Sequence, residues 1–129
     1  MIIERQVDIE DVVRVALSDY LTVYVRPLPA SFALPSILVT QVGGSESDKI
    51  DSFDVVLDAR AETEAEAMTY LRNAIGLLKS ISANQTSAIR DVTVNSSGSW
   101  GVDPVRPELA MCSARIRVVA HLENYNFGG

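Results

Sequence analysis

Residues Ala110–Leu122 read AMCSARIRVVAHL, the longest alternation in the chain. Ala110, Cys112, Ala114, Ile116, Val118, Ala120 and Leu122 share one side. Met111, Ser113, Arg115, Arg117 and His121 share the other, continued by Glu123, with Val119 as the exception. A period of two marks a strand with one buried face. A strand of this length needs a sheet beside it, and the neighbouring segments supply the candidates.

Immediately upstream, Ser97–Pro107 reads SGSWGVDPVRP and holds the only tryptophan of the chain. Its glycines and prolines exclude a regular helix or an interior strand. Ser96–Leu109 is predicted to be a loop of about 14 residues, far more than a tight hairpin requires. It follows a strand over 88–95 that places Val92 and Val94 on one face. Asp103-Pro104 and Arg106-Pro107 confine the backbone and stiffen the loop. A stiff loop loses less entropy when it docks on a partner. Trp100, with Arg106 nearby, has the residue type of an interface anchor. It is equally suited to fold back over the open end of the core. The candidate interface is Trp100, Val102, Asp103, Pro104, Arg106 and Pro107, joined by Val56 and Val119 from the polar sheet face.

Further upstream, Asp8 can cap a helix whose first turn holds Glu10 and Asp11. Ile9, Val12, Val13, Ala16, Leu17, Tyr20 and Leu21 then trace one face over about residues 8–21. Val23–Arg26 reads as a short strand ended by Pro27 and Pro29. Residues 27–35 form an irregular linker, and Ile37–Val42 a second strand. Residues 43–51, GGSESDKID, read as a polar loop between antiparallel strands. Phe53, Val55, Leu57 and Ala59 alternate with Asp54, Asp58 and Arg60, and Val56 is the exception on the acidic side. Thr63 and Glu66 have capping-box spacing. They open a helix over about 64–82 with Ala67, Met68, Leu71, Ala74, Ile75 and Leu78 on one side. Gly76 weakens that helix by roughly 1 kcal/mol relative to alanine, which a close helix–sheet contact would explain. The tail, residues 124–129, is expected to fray. The order αβββαββ predicts one α+β domain over residues 1–129. Its single sheet is largely antiparallel or mixed, with both helices on one face.

The chain has 129 residues, 47% of them apolar and 22% charged, as expected of a globular domain. No apolar run is long enough to span a membrane, and the acidic N-terminus does not read as a signal peptide, which leaves the cytosol as the default location. One cysteine permits no intramolecular disulfide, and one cysteine with one histidine cannot build a zinc cluster. A formal net charge of −6 argues against retention of nucleic acid.

No catalytic residue, metal ligand or cofactor site is expected. His121 has no nucleophile or orienting carboxylate in its pattern, and Cys112 reads as a small buried hydrophobe. Asp48, Asp51, Asp54 and Asp58 lack the ladder of a calcium loop and read as a solvated acidic face. Gly43-Gly44 lacks the lysine of a phosphate loop. Glu62, Glu64 and Glu66 suit a helix N-terminus.

The element order, with Ser97-Gly98-Ser99-Trp100, Asp103-Pro104 and Arg106-Pro107 before the strand ARIRVVAHLE, resembles the tail-terminator or tail-completion proteins of long-tailed bacteriophages. The resemblance implies a non-enzymatic subunit of a homo-oligomeric, hexameric ring. That ring would cap the tail tube, meet the head connector and let DNA pass without specific binding. It further implies a virion location after assembly in the host cytoplasm. Alternatives are a head–tail connector or other small virion assembly protein, an enzyme with a cleft between helix and sheet, and a ligand-binding domain with an apolar pocket.

Overall fold

The computed structural model describes residues 1–45, 50–84 and 87–128. The long alternating segment is strand β6 (Ala110–His121), and it lies inside the main sheet. Its neighbours are β4 (Ile50–Ala61) and β5 (Ile89–Gly101), both antiparallel to it. Beyond β4 come β3 (Ser36–Ser45), antiparallel, and β2 (Val23–Val25), parallel to β3. The order across the sheet is β2-β3-β4-β6-β5, so the sheet is mixed and the fold is α+β.

Register turns the alternation into a core. Phe53, Val55, Leu57 and Ala59 face Val118, Ile116, Ala114 and Cys112, and all eight are buried. Helices α1 (Ile9–Leu17) and α2 (Glu64–Ser82) cover this one face with Ile9, Val13, Leu17, Ala67, Leu71, Ala74 and Leu78. Each large apolar side chain removed from water there contributes roughly 1.5–3 kcal/mol.

Both helices start where expected. Asp8 accepts from the Asp11 N–H and Thr63 from the Glu66 N–H. Helix α1 ends at Leu17, short of the expected residue 21, because the Tyr20 and Leu21 N–H groups both turn back onto the Leu17 carbonyl. The turn that follows is fixed to α2 by a hydrogen bond from the Thr22 N–H to the Tyr70 hydroxyl, 2.5 Å long. Glu10 ties α1 to the sheet by accepting from Arg26 Nη2 at 2.5 Å and from the Gln41 N–H at 3.0 Å. Burial alone would raise the Glu10 carboxyl; the bonds from Arg26 and Gln41 outweigh it and hold the carboxyl below its ordinary value.

Several expectations change. The N-terminal residues form a strand, β1 (Ile2–Arg5), and the tail expected to fray forms another, β7 (Glu123–Asn126). They pair antiparallel, Ile2 with Asn126 through Arg5 with Glu123, as a second, two-stranded sheet. Strand β3 runs through Gly43-Gly44 to Ser45, with a bulge between Gln41 and Gly43, so the polar connection starts later than residue 43. Asp48 lies outside the described residues. Asp51, read as part of that loop, is buried on β4. Gly76 is exposed, and a Cβ built on it would meet nothing within 4 Å. The helix–sheet contact offered for this glycine is therefore absent.

Candidate functional site

The stretch read as a loop divides in two. Strand β5 continues through Ser97-Gly98-Ser99-Trp100 to Gly101, so the connection to β6 spans only residues 102–109. A glycine–serine run can stay in a strand here because β5 is an edge strand and carries bulges, one of them between Ser96 and Ser99. Gly98 inside that bulge has φ +79°, a conformation that favours glycine.

One buried ion pair fixes the connection. Arg60, at the end of β4, donates from Nε to Asp103 Oδ2 at 2.7 Å. The two side chains are 8% and 4% exposed. The other carboxylate oxygen of Asp103 accepts from the Val105 and Arg106 N–H groups, both at 2.9 Å. Burial alone would raise the Asp103 carboxyl. The Arg106 N–H, the Arg60 guanidinium and the Val105 N–H outweigh it and hold the carboxyl below its ordinary value. Phe32, from the segment between β2 and β3, has the Arg60 and Arg106 guanidinium carbons 6.0 and 5.5 Å from its ring centre. Three distant parts of the chain thus meet at the base of the connection.

The tip is the opposite of the base. Val102 is 69% exposed and Val105 84%, and Pro104 and Pro107 are exposed beside them. Trp100 opposes Cys112, which sets it on the helix-bearing side of the sheet edge, with 47% of its surface in water and no place in the core cluster. A rigid base thus presents apolar side chains to solvent, an arrangement suited to docking with little loss of entropy.

The predicted interface residues do not all meet. Val102, Pro104, Arg106 and Pro107 belong to this projection and Trp100 stands beside it at the end of β5, whereas Asp103 is buried and acts only by holding it. Val56 lines a shallow recess with Ser96, Ser99, Ser113 and Arg115 near the bulge of β5. Val119 pairs across the sheet with Ser52 and Asp91, apart from the projection. Sequence reasoning missed Arg60 and Phe32. Arg60 occupied an ordinary polar position in the β4 alternation, and its partner lies 43 residues away.

Cys112 is buried, and burial pushes its thiol up; His121 is exposed. Asp54 pairs with Arg117 at 3.5 Å, and Asp58 accepts a short hydrogen bond from the Ser113 hydroxyl. Among the described residues, no group of three or more His, Cys, Asp or Glu side chains is placed to hold a metal ion. Among them too, no helix is long and apolar enough to cross a membrane. Comparison with protein-family models and with curated proteins finds no match.

Proposed function

We propose that this chain is a structural subunit of a phage virion. It forms a ring that terminates the tail tube and meets the head connector. The observation that carries the reading is the projection after β5. A buried Arg60–Asp103 pair fixes its base, while Val102, Val105 and Trp100 face water. Apolar groups displayed on a stiff support favour contact with another surface. The resemblance of the Gly/Trp/Asp-Pro stretch and of the following strand to tail-terminator proteins names the assembly. The formal charge of −6 suits a wall past which DNA moves without adhering.

The test uses isolated tail tubes without their terminator, mixed with the purified protein and viewed by electron microscopy. The proposal expects rings seated at one end of each tube, and far fewer with Val105→Asp. Binding to head connectors but not to tubes would favour the connector reading. Binding to neither would refute both.

A further inference from the structure

We infer that the β1–β7 ribbon of one copy docks in the groove between α1 and α2 of the next, with Ile2 against Gly76 and Glu4 against Arg72. This rests on the ring reading and names a second contact between copies, beside the projection after β5. The groove, about 460 Å³, lies between Tyr20-Leu21 after α1 and Arg72, Asn73, Gly76 and Leu77 on α2. Glycine is among the poorest helix formers, yet Gly76 sits inside α2, and among the described residues no neighbouring atom needs the space its missing side chain leaves. Tyr20 is 68% exposed at the groove wall. Arg72 is exposed, and its side chain makes no ion pair or hydrogen bond among the described residues. The groove therefore offers a notch, apolar walls and one uncompensated cation.

The ribbon offers the complement. A two-stranded sheet alone is marginal in water, and among the described helices and strands β1 and β7 pack extensively only on each other. One of its faces is internally satisfied: Arg5 lies 3.8 Å from the Tyr125 ring centre and pairs with Glu123, and Tyr125 meets Phe127 edge-on. The other face carries Ile2, 69% exposed, and Glu4, exposed and without a partner among the described residues. Spacing and charge both match. Residues two apart on a strand are about 7 Å apart, and residues four apart on a helix about 6 Å. Ile2 and Glu4 can therefore meet Gly76 and Arg72 together. Ribbon and groove are different patches of one copy, so the contact is head-to-tail and can close a ring.

The test is the mass distribution of the full chain by sedimentation velocity up to its highest soluble concentration. Glu4→Arg and Arg72→Glu should each weaken self-association by at least about tenfold through like-charge contact. An equimolar mixture of the two should restore it, since every contact then pairs opposite charges. Gly76→Leu should weaken association while leaving the melting temperature of the subunit undiminished. Single variants that assemble like the wild type, or a mixture that fails to recover, overturn this docking and leave the ring reading standing. A wild-type chain that stays monomeric throughout overturns this docking as well, and the tail-tube experiment alone then decides the ring reading.

Discussion

Two parts of the molecule extend from the helix-covered sheet, and they are held in opposite ways. The projection after β5 is anchored by a buried ion pair, two backbone hydrogen bonds and Phe32. The β1–β7 ribbon is held by its own ladder and by exposed contacts around Arg5 and Tyr125. Both show apolar side chains to water, but only the first is held by a buried ion pair. A surface fixed before binding needs its support intact. A surface supported by nothing else depends on what it binds. Substitutions should accordingly separate into those that unfold a support and those that only remove a contact.

The largest effect belongs to the support. Asp103→Ala leaves the Arg60 charge buried without its partner, which should cost roughly 3 kcal/mol in urea unfolding. A loss under about 0.5 kcal/mol, the level of an ordinary surface change, would show that the pair does not hold the projection.

Acid should act through the same carboxylate. The folded-state pKa of Asp103 is depressed, so its contribution is fully present above the unfolded value and disappears as pH falls through the folded one. Thermal stability should drop below about pH 4, and Glu10, also depressed, adds to the drop. In Asp103→Ala the drop should be shallower. An unchanged acid slope in that variant would assign the effect to other carboxylates.

Contact residues should affect folding less. Trp100→Ala, at a half-exposed position outside the core, should lower the unfolding free energy by about 1 kcal/mol or less while weakening self-association. A loss near the roughly 3–5 kcal/mol of a core aromatic would make Trp100 part of the core. The smallest effect is expected in the ribbon. Tyr125→Ala removes an exposed cation–π contact and an edge-on ring contact, a change of about 0.5 kcal/mol in the isolated subunit. A cooperative loss of the whole fold would mean that the ribbon supports the main sheet.

The alternations of β4 and β6, the two caps and the α2 boundaries were legible because short-range patterns encode them. The pairing of β1 with β7 was not. Each strand is four residues long, and the partners stand at opposite ends of the sequence. The continuation of β5 through Ser97-Gly98-Ser99 was hidden because glycine signals a turn unless an edge-strand bulge absorbs it. Asp-Pro and Arg-Pro predicted a confined backbone at the candidate site from local chemistry alone. The bond from Arg60 to Asp103 that ties down its base is tertiary and leaves no local pattern. Trp100 was legible as a residue out of place, but its position on the helix side of the sheet edge depends on a register shifted by bulges.

If copies join through the preformed apolar projection, a charge at its tip should block assembly. Sedimentation velocity on the wild type and on Val105→Asp over the same concentration range tests it most directly. Val105 is 84% exposed, so the substitution should leave the subunit folded with an unchanged melting temperature. The wild type should form a single closed assembly and the variant should stay monomeric. Identical assembly in both would contradict it.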